Sequence, residues 1–205
     1  MRDAALLRLA IFASGAGTTL QAVIDACESG ALQATIAVVI GNNSRSGAAR
    51  RAAAHAIPFV HRSGHTHPDP AELDAAIRDA LLAHEVELVL LAGYMKKIGP
   101  ETLRAFSGCM INTHPALLPK FGGQGMYGSN VHAAVLASGD ATTGISVHLV
   151  DGDYDTGRVL AQREVPVESG DDASSLAERV QSNERPFLIE VLQRIATGDL
   201  TLPAG

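Results

Sequence analysis

The fold is decided at residues 9–20, where the chain reads LAIFASGAGTTL. Leu9–Ala13 is an apolar run typical of a buried strand, and Thr18–Cys27 carries its apolar residues on one helical face. A glycine-containing turn at residues 14–17 joins the two segments. The stretch therefore predicts a strand, a tight turn and a helix in immediate succession.

The same alternation continues through the first half of the chain. Further strands are predicted at Thr35–Ile40, Ile57–Val60, Leu88–Leu91 and Cys109–Thr113, and further helices at Ser46–His55 and Pro70–His84. Strands this uniformly apolar are typical of a parallel sheet covered by helices on both faces. The pattern predicts an α/β fold with a Rossmann-like, doubly wound, mostly parallel sheet.

The second half has a different pattern. Ile145–Val150 alternates, with Ile145, Val147 and Leu149 on one face and Ser146 and His148 on the other. Arg158–Val167 is a second extended segment, so an antiparallel strand pair at the sheet edge is predicted. Asp172–Thr197 predicts a closing amphipathic helix, interrupted or bent near Pro186. We expect one domain over residues 1–205, with a phosphate-binding half (1–108) and a catalytic, C-terminal half (109–205).

Composition excludes several classes of function. The chain has 205 residues, a formal net charge of −6 and no basic patch, so nucleic-acid binding is not expected. The start, Met1–Phe12, is too short and interrupted for a signal peptide or a membrane span. The two cysteines, Cys27 and Cys109, are too few for a disulfide framework and suit a reducing compartment. A cytoplasmic protein without a membrane partner is expected.

The glycine turn has the character of a phosphate site. In Ser14-Gly15-Ala16-Gly17-Thr18-Thr19 the glycines permit close backbone approach, and the following helix supplies free N–H donors. Leu20 stands where a dinucleotide fingerprint needs its third glycine, and no P-loop lysine follows. A site for one phosphate is predicted, and a plain strand-to-helix turn is the alternative.

Asn112 and His114 end an apolar strand and point to the same side, because side chains alternate along a strand. An amide can donate to a developing oxyanion, and an imidazole can move a proton near neutral pH. The strand-end position is where α/β proteins bind ligands. The alternative is a structural histidine bonded to a nearby carbonyl.

The stretch DGDYDTG at residues 151–157 offers three carboxylates, Asp151, Asp153 and Asp155. A carboxylate reaching His114 would raise the pKa of the imidazole and fix its ring, while a solvated turn is the alternative. A calcium loop is disfavoured because the downstream glutamate is missing.

Two smaller features leave open alternatives. The spacing of His61, His65 and His67 with Asp69 does not match a zinc site, so a solvated loop is the default and no metal is expected. Lys96-Lys97 follows the fourth strand and is either a solvated pair or a ligand-facing loop.

Five motifs in order resemble the phosphoribosylglycinamide formyltransferases, a folate-dependent formyltransferase family. They are SGAGTTLQ (14–21), LAGYM (91–95), NTHPALLP (112–119), TGISVH (143–148) and YDTG (154–157). The resemblance covers nearly the whole chain. It implies transfer of a formyl group from 10-formyltetrahydrofolate, as co-substrate and without a metal, to the amine of glycinamide ribonucleotide in de novo purine (IMP) biosynthesis.

The resemblance also assigns roles to residues. It implies catalysis by Asn112, His114 and Asp155, with Asp155 keeping His114 charged and oriented. The implied substrate-binding residues are Gly17, Thr18, Thr19, Gln181 and Glu184, and the implied folate-binding residues are Met95, Lys96, Lys97, Ile98 and Asn112. A monomer or homodimer is expected, and the stretch Phe121–Asn130 is longer than in compact members.

Three rival functions stay open. A formyl-folate hydrolase would be expected to bring an N-terminal module, and a methionyl-tRNA formyltransferase a C-terminal RNA-binding domain and a basic surface. A non-catalytic phosphate-binding module is the third rival.

Overall fold

The structure is a computed structural model that describes residues 6–203. Residues 1–5 and 204–205 lie outside the described part, and with them the beginning of the Met1–Phe12 stretch and both ends of the predicted 1–205 domain. The elements are β1 (Leu7–Phe12), α1 (Thr18–Glu28), β2 (Ala34–Gly41), α2 (Gly47–Ala54), β3 (Phe59–His61), α3 (Pro70–Ala83), β4 (Leu88–Leu91), α4 (Pro100–Ala105), β5 (Met110–His114), α5 (Ser129–Ser138), β6 (Thr142–Leu149), β7 (Val159–Pro166) and α6 (Ala173–Ala196).

The strands form a seven-stranded sheet in the order β3-β2-β1-β4-β5-β6-β7. β1 pairs in parallel with β2 and with β4, and β2 pairs in parallel with β3. β6 and β7 form an antiparallel pair. The predicted α/β fold, mostly parallel with an antiparallel C-terminal edge, is confirmed.

Two compact units make up the described chain. The first comprises residues 6–111 with 192–203, and the second comprises residues 112–191. β1, β2 and β4 supply fully buried apolar side chains to the core of the first unit, as the uniformly apolar strands predicted. The single domain with halves 1–108 and 109–205 stays a prediction.

The structure differs from the expectations at three points. β6 is buried along its whole length from Thr143 to Leu149, because it is an interior strand between β5 and β7 and both its faces are covered. Ser146 and His148 are therefore inside the second unit instead of on a polar face. α6 continues through Pro186, so the expected interruption is wrong, while a bend there stays a prediction. The helices α4 and α5 were not predicted.

No helix within residues 6–203 combines the length and the hydropathy needed to cross a bilayer.

Candidate active site

Four polar side chains meet inside the second unit, and we call Asn112, His114, His148 and Asp155 the polar cluster. His114 lies at the end of β5 and is only 3% exposed. Its Nε2 donates to the Phe121 carbonyl at 2.7 Å, and its Nδ1 lies 3.4 Å from Asp155 Oδ2. The structure thus brings the predicted Asn, His and Asp together, and it also supplies the carbonyl contact that the alternative interpretation of His114 required.

Asp155 is the carboxylate of the 151–157 loop that reaches the histidine. Its backbone has a φ of 57°, in the left-handed region that favours glycine but is accessible to aspartate. Its Oδ2 accepts the Gly123 N–H at 3.0 Å. Asp151 instead accepts the Thr156 hydroxyl at 2.9 Å, and Asp153 is exposed. Of the three candidate aspartates, the fold therefore brings Asp155 to His114.

His148 completes the cluster and was missed as a functional residue. It is 2% exposed, and its Nδ1 lies 2.8 Å from the Leu149 carbonyl. Its Nε2 lies 3.2 Å from Asn112 Nδ2 and 3.5 Å from Asp155 Oδ1. The alternation in β6 places His148 on the same face as Ser146, but no local sequence pattern indicates that this face is covered.

Burial has the largest effect on the pKa of His114. It lowers that pKa below its ordinary value; the Asp155 charge and the Phe121 carbonyl oppose this shift without cancelling it. Asp155 therefore favours the charged ring, as expected from the sequence, but its effect is smaller than that of burial. The physical reason is that desolvation of the imidazolium outweighs one carboxylate at 3.4 Å.

The carboxylate itself is ionised. Burial raises the pKa of Asp155, but the contact with His148, the charge of His114 and the Gly123 N–H together bring that pKa below its usual value. An anionic Asp155 therefore faces two imidazole rings.

A third histidine is buried in the same unit. His132, on α5, is 3% exposed, and its Nδ1 has no hydrogen-bond partner among residues 6–203. Burial and the charge of His114 lower the pKa of His132. Charging either ring thus disfavours charging the other.

Ser146 holds the segment that follows His114. Its Oγ donates to the Ala116 carbonyl at 2.7 Å and accepts the Leu118 N–H at 3.0 Å. Gln162 Nε2 reaches both Ser146 Oγ at 2.9 Å and the Leu118 carbonyl at 3.0 Å. These bonds fix the backbone that leads away from β5.

Thr113 points away from Asn112 and His114 and meets a carboxylate on α6. Its Oγ1 donates to Glu184 Oε1 at 2.9 Å. Burial raises the pKa of Glu184, and Thr113 and Arg185 offset only part of that shift. The predicted substrate residue Gln181 is exposed on the same helix.

The glycine turn lies in the first unit and leaves helix N–H groups available. Gly17 caps α1 in the left-handed conformation (φ 72°) and no side chain caps the helix. The Gly15 and Ala16 carbonyls are taken by the Ala48 N–H at 3.1 Å and by Arg51 Nε at 3.1 Å. The first-turn N–H groups of α1, at Thr18 and Thr19, lack intrahelical partners by geometry and suit an anion.

The segment after β4 is tied to the same turn. The Ser14 N–H donates to the Gly93 carbonyl at 3.2 Å, and Ser14 Oγ accepts the Met95 N–H at 3.0 Å. Met95, Lys96 and Lys97 are exposed, whereas Ile98 is buried. The exposed residues are able to contact a ligand, while the Ile98 side chain serves the core.

No group of three or more metal-ligating side chains occurs within the described residues. In the 61–69 stretch Asp69 caps α3 instead, accepting the N–H groups of Ala71 and Glu72.

Comparison with known sequences identifies the class. Residues 7–192 match the family described as Formyl transferase. The chain therefore belongs to the formyl transferase family.

Within that family the chain is similar to proteins named phosphoribosylglycinamide formyltransferase. It is 42% identical over 189 residues to the chloroplastic protein of Vigna unguiculata, covering 92% of this chain and 60% of that protein's length. It is 40% identical over 195 residues to the Mycobacterium tuberculosis protein, covering 95% and 87% of the two lengths. Glycinamide ribonucleotide transformylase 1 of Symbiobacterium toebii has a TM-score of 0.88 and 32% identity, covering 97% and 92% of the two chains.

Proposed function

We propose that this protein transfers a formyl group from 10-formyltetrahydrofolate to the amine of glycinamide ribonucleotide, giving formylglycinamide ribonucleotide in de novo purine (IMP) biosynthesis. The observation that carries the proposal is the buried polar cluster, in which the imidazoles of His114 and His148 share the Asp155 carboxylate and the Asn112 amide contacts His148. The names of the similar proteins support glycinamide ribonucleotide as the acceptor of the formyl group.

The polar cluster suits acyl transfer between two nitrogens. Asn112 Nδ2 donates to the formyl oxygen as the neutral amine attacks the formyl carbon and the oxygen gains negative charge. That charge also favours protonation of His114, whose pKa is lowered by burial. Collapse breaks the bond to the folate nitrogen, which receives the proton lost by the attacking amine, with His114 and water as carriers.

Proton transfer by His114 requires a local rearrangement. In the structure Nε2 donates to Phe121 and Nδ1 faces Asp155, so both ring nitrogens are occupied within the protein. We infer that the 121–130 segment shifts during turnover and frees Nε2.

The binding roles are assigned from the chemistry of each group. The N–H groups of Gly17, Thr18 and Thr19 suit the substrate phosphate. Gln181 and Glu184 suit the ribose and amine end, since a carboxylate can accept from hydroxyl and ammonium donors. The Met95–Ile98 segment suits the folate: Lys96 and Lys97 are exposed cations that match folate carboxylates, and Ile98 contributes backbone only.

The test is formyl transfer by the purified protein, monitored as tetrahydrofolate release with and without glycinamide ribonucleotide. The proposal requires release that depends on the acceptor and that falls by about 10²-fold or more in His114→Ala. Release of formate without the acceptor would identify a hydrolase instead. Binding of both ligands with no release would identify a binding module.

We further propose a cytoplasmic monomer or homodimer, on the basis of two free cysteines and an acidic composition. Light scattering of the protein as it elutes from a size-exclusion column distinguishes a monomer or a homodimer from larger oligomers.

A further inference from the structure

His148 lies between the amide and the carboxylate of the polar cluster, and the proposed mechanism does not use it. Its ring is buried, and each nitrogen has a defined neighbour. Nδ1 lies 2.8 Å from the Leu149 carbonyl, and Nε2 lies 3.2 Å from Asn112 Nδ2. A buried ring held at both ends has one orientation, so its protonation pattern can be deduced.

The Leu149 carbonyl determines the tautomer. A carbonyl oxygen can only accept, so the proton of the neutral ring is on Nδ1 and Nε2 carries a lone pair. Of the two groups near Nε2, Asp155 Oδ1 lies 3.5 Å away and belongs to a carboxylate that already accepts the Gly123 N–H, whereas Asn112 Nδ2 is nearer, at 3.2 Å, and carries hydrogens. Asn112 Nδ2 is the donor, so Nε2 accepts one of its two N–H groups.

This bond fixes which way the amide of Asn112 faces. An asparagine amide presents a donor at one end and an acceptor at the other, and the two are exchanged by a half-turn. With Nδ2 held against His148, the second N–H of the same nitrogen stays available for a developing oxyanion. With the amide turned, Oδ1 would face that negative charge and repel it.

We propose that His148 is a positioning residue that orients the Asn112 amide for oxyanion stabilisation. The proposal rests on the proposed formyl transfer for its kinetic consequence. It does not rest on that function for the bond itself, which exists in the free protein.

A matched pair of variants isolates the acceptor. His148→Leu has no acceptor, whereas His148→Gln places a carbonyl oxygen near the position of Nε2. Both lose the Nδ1 donor to Leu149, so any cost of that lost bond is shared. We expect kcat of His148→Leu to fall by at least about tenfold, and by no more than the ~10²–10³-fold that one oxyanion donor is worth. His148→Gln should keep kcat within about threefold, and both KM values should hold in each variant.

A double-mutant cycle then shows whether His148 acts through Asn112. In an Asn112→Ala background, His148→Leu should cost at most about twofold more in kcat, because the donor to be oriented is absent. An equal loss in both backgrounds, or an equal loss in the Leu and Gln variants, overturns the proposal.

A second readout needs no activity. The side-chain amide resonances of Asn112 in ¹⁵N-labelled protein should shift in His148→Leu and stay near their wild-type positions in His148→Gln. Unchanged resonances in His148→Leu overturn the proposal. If the wild-type protein transfers no formyl group, the proposed function fails while this measurement still decides whether His148 holds the amide.

Discussion

Removing the charge of Asp155 by Asp155→Asn should slow turnover with little change in substrate affinity. The carboxylate lies 3.4 Å from His114 Nδ1, and the two side chains are 10% and 4% exposed, so solvent screens the pair weakly. At an effective dielectric constant of about 20, charges at that distance interact by ~5 kcal/mol. A change of ~1.4 kcal/mol in activation free energy is tenfold in rate, so an interaction of ~5 kcal/mol limits the loss of kcat to about 4,000-fold. We expect a loss of about 10²–10³-fold, because asparagine keeps part of the contact.

The assay is steady-state formyl transfer with both substrates varied, combined with an NMR titration of His114. Asp155 raises the pKa of His114 against the larger effect of burial, so the variant should move that pKa further down. Asp153→Asn removes the same charge from an exposed position in the same loop and is the matched control. A kcat within about threefold of wild type, with the His114 titration unmoved, would refute the electrostatic role of Asp155.

Three further predictions concern stability and reactivity. Gly17→Ala should lower the free energy of unfolding by about 1–3 kcal/mol, because the φ of Gly17 is 72° and an added Cβ would lie 2.8 Å from the α2 backbone. Urea denaturation measures this loss, and Gly15→Ala, whose added Cβ would meet no atom within 4 Å, is the control. Thermal stability should decline as pH falls below about 6.5, because burial lowers the folded-state pKa of His114 and His132, so the unfolded chain binds protons more readily than the folded protein. A melting temperature that stays constant down to about pH 5 would contradict this prediction. Burial and the neighbouring acidic side chain raise the pKa of Cys27 to about 11, so disulfide reagents should label it far more slowly than a free thiol at pH 8.

Much of the fold was predictable because its strands are apolar runs and its helices have clear signals. Thr18 begins α1 and Pro70 begins α3, both as predicted from the turn glycine and from proline at the first helical position. The juxtaposition of Asn112 and His114 follows from the two-residue period of a strand. These features depend on neighbours in sequence, which is why they could be inferred from sequence alone.

The parts that could not be inferred depend on contacts distant in sequence. Three aspartates in one loop have the same local character, and Asp155 is selected by a left-handed backbone and by the Gly123 N–H. His148 had the alternation of a solvent-facing residue, because nothing local reveals that β6 is covered on both faces. The lowered pKa of His114 depends on its burial, which the sequence does not disclose.

The contact between His114 and Phe121 is made by a main-chain carbonyl, from a residue whose φ is 57°. Every amino acid carries that oxygen, so no side-chain replacement at position 121 deletes the acceptor. A saturation scan would rank substitutions there by their tolerance of left-handed backbone, with glycine and asparagine above valine and isoleucine. Alanine scanning therefore cannot detect this partner of the His114 imidazole, and only a change of the backbone itself, such as an ester linkage, would weaken the contact.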